Sequence, residues 1–452
     1  MTAAAAGAAA ASASDHQGLR APAATYRRIL WRIVPIFTLL WICAWLDRTN
    51  VSFAKLHMAD DLGLSDAAYG FGAGVFFIGY LIFEVPSNLL LMRIGARKTL
   101  TRIALCWGIV SILMGFVQSP TMFYILRFML GACEAGMYPG GLLYFTLSLP
   151  AAYRGKAIAI FTSGGAVSGI IGAPLAGTML TRFDQVAGLA GWQWLFVVEG
   201  FLSVAMGLVF WLMVSDDIRK APWLSPTEQK AVAEDLARDE AAAGPRYEFI
   251  GEALRQPMLW LFCFLYISNA TGYTAIAFWG PTLMAEAGVG GPETIGWILS
   301  AVSLAAAICM YLAGLTSDKT GDAKYHFAGM LFACALGLAG LGLVLSSAGG
   351  VIAAMAWTSI AASSAVVVFW NMPGRFFTGN AAAVAIALIS SVANIGGFFA
   401  PTLLGAVKES TGSVAPSLWG VAALYLLASL ATLIFVRQGR RQPHMPAATQ
   451  GD

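Results

Sequence analysis

The 452-residue chain is 58% hydrophobic and 11% charged, with a formal net charge of +3. Soluble domains are about a quarter charged, so this composition excludes a soluble fold and, with it, a nucleic-acid-binding role. Apolar runs near twenty residues long recur along the chain, each matching a bilayer core of roughly 30 Å.

The opening stretch, MTAAAAGAAAASASDHQG, is of low complexity and runs into basic residues. Residues 1–30 are expected to form a disordered cytoplasmic tail without a cleavable signal peptide. Twelve spans follow. The first six have cores at 31–54, 68–92, 100–118, 121–148, 156–180 and 192–214. After a polar cytoplasmic linker, 215–256, come 257–285, 294–316, 327–346, 350–370, 381–406 and 415–436, and then a tail, 437–452. The fold class is therefore an all-α membrane protein with two six-helix halves, 31–214 and 257–436.

Span one contains AWLDRTN, with Asp47 and Arg48 adjacent. Neighbouring helical residues diverge by about 100°, so the two cannot aim at one spot. Arg48 is read as facing a cavity and Asp47 as reaching a neighbouring helix, towards Arg127 or Glu134. Span four contains RFMLGACEAGMYPG, with Arg127 and Glu134 seven residues apart. That is about two turns, or roughly 10 Å, on one helix face, too far for direct pairing. Gly131, Ala132 and Gly136 leave room for a close neighbour. An ionisable side chain at the bilayer centre costs at least ~2.5 kcal/mol, so both are expected to face the interior.

Two arginines on one cavity suit a carboxylate, which their planar forks bind bidentately. Burial favours a neutral carboxyl while nearby arginines favour the ionised one, so such a group can change protonation as the cavity fills. Glu134 is the first candidate proton carrier and Asp47 the second. Tyr80 in span two, Tyr273 in span seven, Trp370 and Asn371 at the end of span ten, and Asn394 in span eleven are candidate substrate contacts. Glu84 is read as a packing ion pair near an inner helix end, Glu199 as a structural partner, and 226–243 as a solvated linker helix. The six cysteines lie in apolar segments without metal-ligand spacing. No metal or cofactor is expected beyond the proton as coupling ion.

Lys and Arg cluster on one side of the predicted spans, about twenty-two against three. This predicts both termini in the cytoplasm. The chain also repeats itself. Arg93, Gly95 and Lys98 in RIGARK precede Lys319, Gly321 and Lys324 in SDKTGDAK by a constant 226 positions. Gly169 and Pro174 of span five precede Gly396 and Pro401 of span eleven by 227. A parallel six-span repeat is a transporter architecture, with its site near the midplane between repeats.

GLTSDKTGDAK places Gly314, Asp318, Lys319, Gly321 and Lys324 in the pattern G-x-x-x-D-[KR]-x-G-x-x-[KR]. This resembles the cytoplasmic gating motif of the major facilitator superfamily. The first-half copy, EVPSNLLLMRIGARK, has Asn88 and Met92 in place of Gly and Asp. That departure, with WLDRTNVSFA, GWQWLFVVEG and PGRFFTGNAAAVAIALISSVANIGGFFAP, is similar to the anion:cation symporter branch, which includes bacterial tartrate, phthalate, hydroxyphenylacetate and sugar-acid carriers. The resemblance implies that Arg48 and Arg127 hold the anion, that the acids couple protons and that Tyr80 touches substrate. It implies proton symport of a small organic carboxylate by a monomer in the bacterial inner membrane. An anion exchanger without proton coupling and another class of major facilitator antiporter are the alternatives. The basic residue that vesicular relatives carry in span seven has no counterpart, because 257–285 contains no Lys or Arg.

Overall fold

The computed structural model describes residues 21–243, 254–377 and 379–436. The first tail up to residue 20, residues 244–253 of the linker and the tail from residue 437 lie outside them. In chain order the first helices are α1 (Ala23–Leu62), α2 (Asp66–Ile94), α3 (Ala96–Met114), α4 (Pro120–Glu134), α5 (Met137–Ser148), α6 (Ala151–Arg182), α7 (Gly191–Met213) and α8 (Pro226–Ala243). They are followed by α9 (Pro257–Glu286), α10 (Pro292–Thr320), α11 (Lys324–Leu343), α12 (Ala348–Trp370), α13 (Pro373–Phe376), α14 (Gly379–Thr411) and α15 (Ala415–Phe435).

Ten helices among the described residues are long and apolar enough to cross a membrane. The remaining two spans are special in composition or geometry. α3 carries Arg97, Lys98 and Arg102 in its first two turns. Span four, expected as one helix, is two. α4 stops at Glu134, Ala135 leaves helical geometry at ψ 130°, and Gly136 restarts α5 from φ 93°. Only glycine enters that left-handed region without strain. A Cβ at Gly136 would also lie 2.5 Å from the Ser87 hydroxyl.

The described residues form two compact units. One comprises residues up to Leu64 and from Val75 through α8; the other comprises Ser65–Gly74 and the residues from α9 onward. In the first unit α1 packs on α6 and α3 on α7; in the second α9 packs on α14 and α11 on α15. These are spans one with five and three with six, then seven with eleven and nine with twelve. The repeat read from the motifs thus recurs as a repeat of packing partners.

The start of α2 belongs with the second unit for visible reasons. Glu409 accepts from the Ser65 hydroxyl at 2.6 Å and from the Ala67 N–H at 2.8 Å. Lys408 lies 3.1 Å from Asp66 and also pairs with Glu286. The Tyr69 hydroxyl donates to the Phe278 carbonyl at 2.7 Å. Gly70 sits so close to α14 that a Cβ would be 2.4 Å from the Pro401 carbonyl oxygen.

Two features of the first unit place its charged side chains. α2 and α4 touch backbone to backbone: a Cβ at Gly131 would lie 1.9 Å from the Phe76 carbonyl oxygen, and one at Gly79 would lie 2.3 Å from that of Phe128. Asp47, fully buried, accepts from the Trp107 indole at 2.9 Å, from the Ser203 hydroxyl at 2.6 Å and from the Ser111 hydroxyl. It thereby ties α1 to α3 and α7. One turn later the Asn50 amide donates to Glu199 at 2.8 Å.

The linker helix α8 is docked rather than solvated. Glu228 accepts from the Thr25 hydroxyl at 2.9 Å and pairs with Arg28, and Asp235 accepts from the Tyr26 hydroxyl at 2.9 Å. Ala231 and Val232 are buried beneath them.

Three stability outcomes follow from this packing. Gly131→Leu should abolish the monodisperse peak in detergent size exclusion, because its side chain has only the Phe76 backbone to enter. Gly155→Ala, with nothing within 4 Å of its Cβ, should instead raise stability by about 0.4–1 kcal/mol through the unfolded state. Asp47→Ala leaves the buried Trp107 and Ser203 donors without that acceptor, at about 1–3 kcal/mol each, while Ser111 keeps the Phe196 carbonyl at 3.4 Å. Its melting temperature should fall far below that of Glu134→Gln; equal melting temperatures would remove the structural role given to Asp47.

Candidate functional site

The site is built on α1, α2 and α4 of the first unit. Arg48 and Asp47 do diverge, as the helical angle requires. Asp47 reaches α3 and α7, however, where its carboxylate accepts from Trp107, Ser111 and Ser203. Arg48 turns the other way and forms an ion pair with Glu134 Oε1. Both are buried, Glu134 completely and Arg48 to 9% exposure. The pair uses one nitrogen and one oxygen. Arg48 Nε and Glu134 Oε2 have no hydrogen-bond partner among the described residues. The fork is therefore only partly engaged by protein.

Arg127 is fully buried two turns before Glu134. Its Cζ lies 5.0 Å from the centre of the Phe76 ring, and that of Arg48 lies 5.2 Å from the same ring. Phe76 thus serves both guanidinium groups. Arg48 also stands 4.9 Å from Trp45, 5.9 Å from Trp41 and 5.2 Å from Tyr80. Electron-rich ring faces offset part of the cost of desolvating a cation. Tyr80, expected as a substrate contact, is beside Arg48 and 5% exposed.

Sequence reasoning missed Trp41, Trp45 and Phe76. The signal was present, since Trp41, Trp45 and Arg48 share one face of α1 at helical spacing and Phe76 precedes Tyr80 by four. The break after Glu134 was missed too. It ends α4 at the acid itself, so the last carbonyls of α4 and the first N–H groups of α5 lie beside the ion pair in sequence.

In the second unit the candidates separate. Tyr273 is exposed at 37% on α9. Asn394 is half-buried on α14. Trp370 is half-buried and meets Tyr266 edge-on at 5.1 Å. Asn371, expected with the substrate contacts, instead donates to Asp318 of the gating motif at 3.3 Å. Asn269 is buried, and its backbone carbonyl accepts from the Tyr425 hydroxyl at 2.9 Å.

The two motif copies share a backbone device. Gly321 closes α10 at φ 67°, and Gly95 opens α3 at φ 92°. Arg93 and Lys98 are exposed, as are Asp318 and Lys319, while Gly314 and Lys324 are half-buried. The carboxylate missing from position 92 is supplied from a distance: Asp216 accepts from the Arg97 N–H at 2.9 Å, against Gly95.

Residues 37–401 match the family model described as Major Facilitator Superfamily. A "Putative tartrate transporter" of Agrobacterium vitis is 37% identical over 94% of this chain and 94% of its own. The "Quinolone resistance transporter" of Acinetobacter baumannii is 38% identical over 92% and 96%. A crystal structure described as a D-xylose-proton symporter, 16% identical, superposes with a TM-score of 0.73 over 91% of this chain and 98% of that one. Matched over most of its length and with packing partners that recur between its two units, the chain belongs to the major facilitator superfamily and is a multi-pass membrane transporter.

Proposed function

We propose that this transporter carries a small organic carboxylate anion by proton symport with alternating access, importing it across the bacterial inner membrane with both termini cytoplasmic. The observation that carries the reading is the half-used Arg48 fork held by Glu134. A substrate carboxylate competes with Glu134 for that fork. Protonating Glu134 removes its claim on Arg48 and leaves two cations, Arg48 and Arg127, facing one anion. Anion and proton then favour each other's binding, which is the thermodynamic requirement for symport. Asp47 already accepts three hydrogen bonds from neutral donors, which supports reading it as second to Glu134 as the proton carrier. Tyr80 lines the same site. Tyr273, Trp370, Asn371 and Asn394 are proposed as further substrate contacts.

The relatives are named for tartrate and for quinolone resistance, one a hydroxy diacid and the other a drug class. The second name favours an export reading in which proton and substrate move in opposite directions. The sign of the pH gradient that drives substrate accumulation in liposomes separates the two.

Arg48→Ala and Arg127→Ala should each lower substrate affinity by about 10- to 100-fold, the value of a charge-assisted bidentate contact. Lysine should rescue poorly because a point charge does not reproduce the fork. Wild-type affinity in folded Arg48→Ala protein would remove the anion role.

Glu134→Gln mimics the permanently protonated state. It should still exchange labelled for unlabelled substrate but fail at accumulation driven by a pH gradient. Gradient-driven accumulation retained in both Glu134→Gln and Asp47→Asn would favour exchange without proton coupling.

Asp318→Asn acts on the conformational equilibrium instead. It should slow transport and leave affinity within a few-fold, as read by equilibrium binding beside initial rates.

A further inference from the structure

Among the described residues three acids are buried, Asp47, Glu134 and Glu199, all in the spans of the first unit. Glu134 pairs with Arg48. Neither Asp47 nor Glu199 pairs with a lysine, arginine or histidine among the described residues. These two acids belong to one interior. Asp47 and Asn50 are three residues apart on α1, and Glu199 and Ser203 are four apart on α7. The Ser203–Asp47 and Asn50–Glu199 hydrogen bonds, at 2.6 and 2.8 Å, are therefore successive rungs between the two helices. Successive rungs lie about one turn, or roughly 5 Å, apart. Two negative charges at that spacing, without a cation, oppose each other and the burial of both.

The hydrogen bonds of the two carboxyls differ. Asp47 accepts from Trp107, Ser111 and Ser203, donors that hold an ionised carboxylate. Glu199 accepts from the Asn50 amide alone among the described residues. The other end of that amide is an orphan: Asn50 is 3% exposed, and its Oδ1 has no hydrogen-bond partner among the described residues. An amide oxygen can only accept, so a buried one calls for a donor. An ionised Glu199 has none to give. A protonated Glu199 has one O–H. A carboxylic acid and a primary amide can close a ring of two hydrogen bonds, amide N–H to acid carbonyl and acid O–H to amide carbonyl.

We propose that Glu199 is a resident proton site, a neutral carboxylic acid that accepts from Asn50 Nδ2 and donates to Asn50 Oδ1, leaving the negative charge of this interior on Asp47. Its proton is distinct from the one that Glu134 is proposed to exchange and stays bound through the transport cycle. The proposal rests on the contact of α1 with α7 and stands apart from the symport reading.

The test is infrared spectroscopy of the purified full-length protein in nanodiscs at neutral pH, where the C=O stretch of a protonated carboxyl stands apart from those of carboxylates and amides. Glu199→Gln should remove one carboxylic-acid band, and Glu134→Gln should leave that band in place. Asn50→Leu should keep the band and move it to higher frequency, because the O–H loses its acceptor. Glutamine reproduces both hydrogen bonds of the neutral acid, so Glu199→Gln should melt within a few degrees of wild type. Glu199→Leu reproduces neither and should melt lower. In liposomes, Glu199→Gln should accumulate labelled tartrate on a pH gradient as the wild type does, because the proton it replaces never leaves. A carboxylic-acid region that Glu199→Gln leaves unchanged overturns the proposal, and so does a Glu199→Gln protein that fails to fold. Loss of the band together with loss of accumulation in folded Glu199→Gln overturns the resident assignment and makes the proton a transported one. If the wild type itself does not accumulate tartrate on a pH gradient, that failure falls on the symport reading, and the infrared result alone decides for Glu199.

Discussion

A guanidinium inside the hydrocarbon thickness of a bilayer has to be compensated locally, because lipid tails supply neither charge nor hydrogen bonds. Arg48 meets this demand with one carboxylate oxygen and four aromatic rings, and Arg127 shares one of those rings. Much of the first unit is arranged to hold that compensation in place. Gly79 and Gly131 let α2 approach α4 at backbone distance, which brings Phe76 and Tyr80 beside Arg48. Asp47 uses three donors from α3 and α7 to set the rotation of α1. The neighbouring arginine then points at Glu134 by the helical angle alone.

Compensation by a single monodentate carboxylate is strong enough to keep the arginine buried and incomplete enough to be displaced. A bidentate pair would satisfy both partners and leave an anion little to gain. A missing acid would leave a charge the membrane penalises without relief. The observed geometry lies between these, with one nitrogen of Arg48 and one oxygen of Glu134 lacking partners among the described residues. On the proposed symport reading, coupling would be a matter of which carboxylate occupies the fork, and it would need no long-range pathway.

The spans and the internal repeat were legible in the sequence because each rests on a period or a spacing. The adjacency of Asp47 and Arg48 correctly implied opposite directions, yet Asp47's partners were not the expected ones. Its acceptors' donors are Trp107, Ser111 and Ser203, neutral residues that a search for charge partners passes over. The break at Ala135–Gly136 was hidden because both halves are apolar and the glycine also fits a packing role. Asn371 was read from its polarity at a span end; its amide donates to Asp318, 53 positions earlier, a partner no local pattern shows. Asp216 completing the degenerate motif copy comes from more than a hundred positions away in the chain, beyond any local pattern.

The glycine seam between α2 and α4 has a practical consequence for watching this protein move. With Gly131 against the Phe76 carbonyl and Gly79 against that of Phe128, neither helix can slide along the other without a steric collision in the backbone itself. Two outward-facing positions on that pair, Ile82 and Ile125, are each 55% exposed and free to carry a probe. A pair of spin labels there forms an internal ruler of fixed length. Displacements measured elsewhere in the transport cycle can be referred to it, so that broadening caused by the labels themselves is separated from motion of the carrier.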